Sequence, residues 1–363
     1  MGGGSSGVND DAVYLDSRVL LRTPRERLVY AALAAALLAL PFLLPTYYVG
    51  ELSFIFIMCV ASLGLMTLTG YTGQVSLGQA AFIGIGAYVH ANLLTLGVPL
   101  PLALAGAAAG AALAGLAIGF PAIRISGLHL AMVTLAFSIL TEHVLGRWKS
   151  VTGGHGGMPV PDPSLFGWSL GGPRAFYFFC LVVLCVVLLL LLNLLRSATG
   201  RAFIGIRDSE VAAQGLGIRV GRTKVLAFAM SAGTCGVAGA LLAHQTQFIT
   251  PEAFGLALSL QLVLMVFVGG MGSLRGAILG ALLIGLLPSL ISEFKALLPR
   301  RISEQSGLEL FVYGAVLCFF VLIEPRGLNG RWLKLRAWLA NFPMVRQTSS
   351  RPTKVYMHSE RSR

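Results

Sequence analysis

The chain repeatedly runs for about 20 uncharged apolar residues, the length an α-helix needs to cross a bilayer; residues 28–44, 52–68, 178–195 and 225–242 are the clearest cases. Several such runs make an all-α polytopic membrane protein the expected fold. Composition supports this, because only 12% of residues are charged where soluble domains carry about a quarter.

Windows bounded by Gly, Pro or charge give ten candidate spans: 28–45, 51–69, 75–96, 101–122, 127–145, 175–195, 225–248, 256–269, 276–291 and 308–323, the eighth and ninth short. Placing the N-terminus in the cytoplasm puts 21 of the 27 Lys and Arg residues on the inner side, as the positive-inside rule requires. The division expected is a cytoplasmic tail over 1–27, a transmembrane domain over 28–325 with an inner loop at 196–224, and a basic cytoplasmic tail over 326–363. Ten spans permit an inverted 5+5 repeat, a frequent transporter architecture, although no motif aligns the halves. The start MGGGSS reads as a flexible tail, and the first apolar run as a retained helix rather than a cleaved signal.

The net charge of +12 could point to nucleic acid, but the basic residues flank apolar runs and form no stripe. Cys59, Cys180, Cys185, Cys235 and Cys318 lie inside apolar runs without a CxxC pair and read as packed hydrophobes. His90, His129, His143 and His155 have no metal-ligand spacing, so no metal site is expected. No acidic or basic residue lies near the middle of any span, Glu51, Glu142, Glu252 and Glu293 falling at span ends. Carriers driven by protons need titratable groups within the membrane, so the driving force is expected from outside this chain. It carries no GxxxxGK[ST] loop, so ATP could act only on a separate subunit. No catalytic cluster of His, Asp or Glu gathers at one membrane face.

Small residues four apart, at Gly106/Gly110, Gly115/Gly119 and Gly272/Gly276/Gly280, let helices approach closely. A second glycine cluster surrounds Met271 and Arg275. The segment GYTGQVSLGQAAFIGIGAY, 70–88, sets Gln74, Ser76 and Gln79 among glycines at the edge of a span. Such a sequence suits a broken helix lining a cavity or an interfacial turn, and the residues leave both readings open. The inner loop RSATGRAFIGIRDSEVAAQGLGIRVGRTK predicts one short helix, capped by Asp208, favoured by Glu210 at its positive end and closed by Gly215 or Gly217. Ile206, Val211 and Leu216 would offer apolar contact among Arg201, Arg207, Arg219 and Arg222. The helix would dock in a partner's groove or rest on lipid headgroups.

IRDSEVAAQGLGI resembles the coupling loop of ABC importer permeases, and with GYTGQVSLGQAAFIGIGAY and VFVGGMGSLRGAILGALL it resembles the LivM-like branched-chain amino acid permeases over residues 50–325. Val211 separates Glu210 from Ala212 and Ala213, a departure from the contiguous E-A-A pattern. The resemblance implies a type II importer fold in a bacterial inner membrane, with no cofactor on this chain and ATP and Mg on two ATPase subunits. It also implies a second homologous permease and an extracytoplasmic binding protein. On that analogy Arg207, Asp208, Glu210, Ala213, Gly215 and Gly217 transmit ATPase closure. Gly73, Gln74, Ser76, Gly78 and Gln79 then lie in or beside the pathway. The solutes implied are leucine, isoleucine and valine, with urea, short amides or aromatic carboxylates as alternatives; a self-sufficient secondary carrier is the rival class. Glu210→Arg is expected to leave the protein folded while abolishing uptake.

Overall fold

The computed structural model describes residues 24–165, 168–169 and 171–297, with isolated residues at 314, 327, 328 and 330. In chain order the α-helices longer than one turn are α1 (Pro24–Leu43), α2 (Thr46–Leu65), α3 (Gln79–Thr95), α4 (Leu100–Ala122), α5 (Leu128–Arg147), α6 (Pro173–Arg196), α7 (Ala198–Asp208), α8 (Glu210–Gly215), α9 (Val220–Thr246), α10 (Leu256–Gly269) and α11 (Leu274–Leu297). Prolines in the first turns of α4 and α6 start those helices without loss, because the N–H they lack has no partner there. Six segments are long and apolar enough to cross a membrane, 46–70, 100–122, 128–147, 173–196, 220–246 and 251–269, and shorter apolar helical stretches cover 31–43 and 274–290.

The first nine expected spans each coincide with one of these helices. The tenth, 308–323, is described only at residue 314, and the tails over 1–23 and 331–363 lie outside the described residues. Two expectations change. Residues 75–78 are unwound, so α3 begins only at Gln79, and the ninth helix is not short but spans 24 residues.

α9 is the central element, packed against α2, α3 and α4, while α6 and the α10–α11 hairpin cover other sides of α2. The most apolar stretches of α2 and α9 are 89% and 78% buried inside the chain, those of α4 and α6 only 28%. Leu102, Leu113 and Phe120 on α4 and Val182, Leu189 and Leu190 on α6 face outward, which identifies an apolar perimeter suited to lipid or another membrane subunit.

Glycines set the close approaches. A Cβ on Gly86 would strike Gly236, and one on Gly239 would strike the Ile83 carbonyl, so α3 and α9 touch backbone to backbone. On α4 the two glycine pairs serve different neighbours: Gly106 and Gly110 face Leu93 and Val89 of α3, whereas Gly115 and Gly119 face α9. In the α10–α11 hairpin Gly276 and Gly280 pack on Gly269 and Met265. Gly272 does not belong to that stripe as expected, because it sits in the connecting turn at φ +87; Gly269 takes its place.

At the end of the bundle where α3 and α9 finish, residues 148–165 fold back over the helices. β1 (Met158–Pro159) pairs antiparallel with β4 (Phe248–Ile249), and β2 (Ser164–Leu165) with β3 (Trp168–Ser169). Asn92 Nδ2 donates to the Val151 carbonyl at 2.9 Å, Val160 N to the Gln247 carbonyl at 2.9 Å, and His155 Nδ1 meets Glu252 Oε1 at 3.0 Å.

Candidate functional site

The loop 196–224 forms two helices, not one. Gly200 allows the chain to turn from α6 into α7, since a Cβ there would meet the carbonyls of Leu194 and Leu195. Asp208 does not cap the second helix as expected; it ends α7, and Ser209 is the cap, its Oγ accepting from Ala212 N at 3.2 Å. A serine hydroxyl satisfies an otherwise unbonded first-turn amide as well as a carboxylate would. Gly215 is the last residue of α8, and Gly217 follows at φ +81, where Ile218 N reaches back to the Ala213 carbonyl at 3.0 Å. That left-handed exit suits glycine.

The apolar side chains divide between inside and outside. Ile206, Ala213 and Val220 are buried in a small core of their own with Ile218 packed on it. Val211 and Leu216 are 80% and 82% exposed. Ile206 is therefore unavailable to a partner, and α8 presents Val211 and Leu216 alone from the expected set of three.

Two charged side chains tie this double helix to the bundle. Glu210 Oε1 lies 2.7 Å from Nζ of Lys224, whose side chain is 3% exposed. Lys224 was missed by sequence reasoning, since a lysine immediately before an expected span reads as an interfacial charge. The second tie is Arg207. Its Nη1 donates to the Gly70 carbonyl at 3.0 Å, its Nη2 is 3.5 Å from Asp208 Oδ1, and its side chain borders both Gly73 and Gly272. Arg207 thus lies between the α2–α3 loop and the α10–α11 turn. Those two loops also meet directly, Gly272 N donating to Met66 Sδ at 3.3 Å.

The α2–α3 loop begins where α2 widens into a π-helical turn, Met66–Gly70, a local departure that frequently marks functional sites. Residues beyond it are unwound but pinned. Thr69 Oγ1 donates to the Gln74 carbonyl at 3.1 Å, Leu77 N to Thr134 Oγ1 at 3.0 Å, and Ala80 N to Ser259 Oγ at 3.2 Å. Gly78 presses on the Thr134 carbonyl, so a side chain is excluded there. Of the expected pathway residues Gly73 is exposed and beside Arg207, whereas Gln74, Ser76, Gly78 and Gln79 are buried within this chain. Gln79 Oε1 accepts from Cys235 Sγ at 3.1 Å and Ser231 Oγ at 3.4 Å. Its Nε2 and both amide atoms of Gln74 have no partner among the described residues, an expensive arrangement for buried amides.

The opposite end of the interior holds a buried pair the sequence did not suggest: His90 Nε2 and His244 Nε2 are 2.8 Å apart, one imidazole donating to the other. Nothing links residues 154 positions apart in a pattern of spans. Among the described residues no group of three or more His, Cys, Asp or Glu is placed to hold a metal ion.

Comparison with known proteins adds to this geometry. A family described as the branched-chain amino acid transport system permease component matches residues 46–321. The chain is 33% identical over 333 residues to the high-affinity branched-chain amino acid transport system permease protein LivM of Escherichia coli (strain K12), an alignment covering 84% of this chain and 75% of that protein. It is 28% identical to the probable branched-chain amino acid transport permease protein LivH of Methanocaldococcus jannaschii, over 78% of this chain and 92% of the relative. It is 29% identical to the autoinducer 2 import system permease protein LsrC of Klebsiella pneumoniae, over 83% and 87%. No solved structure matches.

Proposed function

Because the chain belongs to the permease-component family of branched-chain amino acid transport systems, we propose that it forms half of the translocation pathway of an importer for leucine, isoleucine and valine. As a member it is a multi-pass, non-catalytic permease of a bacterial-type ABC importer, binding no cofactor itself while partner subunits hydrolyse ATP. The remainder is our reading. Ten spans in a type II arrangement, with an inverted 5+5 repeat, place both termini and the 196–224 loop in the cytoplasm. The partners are a second homologous permease, two ATPase subunits and an extracytoplasmic binding protein.

The observation that carries the coupling role is α8, which exposes Val211 and Leu216 while Glu210 and Arg207 bind it to the bundle. An apolar knob on a short helix suits a groove in a partner, and the two ties would carry its displacement inward. Arg207 leads to the loops at 70–73 and 270–272, and Glu210 leads to α9 through Lys224. Ala213, Gly215 and Gly217 shape that knob, and Asp208 orients Arg207. Gly73, Gln74, Ser76, Gly78 and Gln79 form the element that moves beside the pathway, with Gly73 alone exposed.

Gentle extraction of the affinity-tagged chain from its host, with mass spectrometry of what accompanies it, tests this reading. P-loop ATPases and a second permease are expected; recovery of the chain alone, active in ATP-free liposomes, would make it a secondary carrier. Competition against leucine uptake by isoleucine and valine, but not by urea, short amides or aromatic carboxylates, separates the solute classes.

A further inference from the structure

We propose that the groove between the end of α4 and the start of α9 is a binding site for an anionic phospholipid. The groove is a shallow, largely open one that offers about 860 Å³. Its walls are Leu116 and Phe120 from α4, Ile123 just beyond it, and Val225 and Leu226 from α9. Such a surface takes an acyl chain. Arg219 and Arg222 line the same groove, Arg219 as the residue that caps α9 and Arg222 in its first turn.

Charge decides the head group. The two nearest acids along the chain are engaged elsewhere, Asp208 with Arg207 and Glu210 with Lys224. Neither Arg219 nor Arg222 is in an ion pair among the described residues, and both are exposed. Two uncompensated guanidinium groups beside an apolar slot at a span end are what an anionic head group with its acyl chain attached would complement, and basic pockets between membrane helices bind such lipids. The slot is continuous with the outward apolar surface of α4, where Leu113 and Phe120 are both 66% exposed, so a bilayer lipid reaches it without crossing protein. Gln214 and Ile218 form a further wall, which places the lipid against the turn joining α8 to α9. The site does not rest on the solute assignment.

The test uses the full chain with its co-extracted partners, purified into nanodiscs of phosphatidylcholine with or without phosphatidylglycerol. Native mass spectrometry reads retained lipid. Phosphatidylglycerol is expected to be retained about tenfold over phosphatidylcholine, and the Arg219→Gln/Arg222→Gln double variant is expected to lose that preference. A Phe120→Trp variant in a background whose four native tryptophans are replaced by phenylalanine supplies a local readout independent of the arginines: brominated phosphatidylglycerol should quench it more strongly than brominated phosphatidylcholine. Equal retention of the two lipids, or unchanged preference in the double variant, would overturn the proposal. So would a tryptophan shielded from both brominated lipids by a protein partner, or displacement of the retained phosphatidylglycerol by inorganic phosphate.

Discussion

Lys224 places an ammonium group where only 3% of its side chain reaches solvent, and Glu210, 44% exposed, is the carboxylate that meets it. Removing one partner of a buried pair leaves an uncompensated charge, which costs several kcal/mol when both are enclosed. Here the half-open carboxylate reduces that to about 1–3 kcal/mol. Glu210→Arg is therefore expected to lower thermal stability in detergent, and adding Lys224→Glu should restore most of it; failure of the swap to rescue would mean that the pair does not hold the loop. This revises the sequence expectation that Glu210→Arg leaves the fold intact, so loss of uptake in that variant would not by itself report docking. The motif around Glu210 was legible, because short-range spacing displays it. Its partner was not, since a contact across the turn from α8 to α9 depends on how the helices fold back.

At the scale of elements, the helices are held by backbone contact at glycines, and volume decides tolerance. Gly280→Val is expected to abolish the monodisperse peak in size-exclusion chromatography, because any Cβ meets the Met265 carbonyl across the α10–α11 hairpin and a branched side chain cannot be accommodated there. Gly156→Ala, with nothing within 4 Å, should elute as wild type. Arg207→Ala should leave the helices in place and still reduce uptake by about tenfold, because it removes the charge-assisted hydrogen bond to the Gly70 carbonyl together with the contact to Asp208; undiminished uptake would remove Arg207 from the linkage. Apolar length made nine helices readable in advance, and four-residue glycine spacing exposed most of their seams. What spacing could not reveal was which neighbour each glycine meets, that Gly269 and not Gly272 completes the hairpin seam, or that Gln74 and Gln79 turn inward. Each of those depends on contacts between segments far apart in the chain.

For the whole molecule, two nearly enclosed helices, α2 and α9, stand inside a perimeter whose apolar side chains face outward, and the double helix α7–α8 hangs from one end by Arg207 and Glu210. The proposed orientation puts Ser209 in the cytoplasm and Gly156 outside. In a cysteine-free background, a cysteine at 156 should react with an impermeant maleimide added to intact cells and one at 209 only after permeabilisation. The most direct measurement is ATP-driven leucine uptake by the reconstituted complex, compared with Val211→Asp/Leu216→Asp, two positions exposed enough to accept the change without unfolding. The account predicts ATP-dependent uptake by the wild type, and in the variant loss of both uptake and the co-purifying ATPase. Uptake without ATP, or a variant that transports like the wild type with its ATPase still bound, would contradict it.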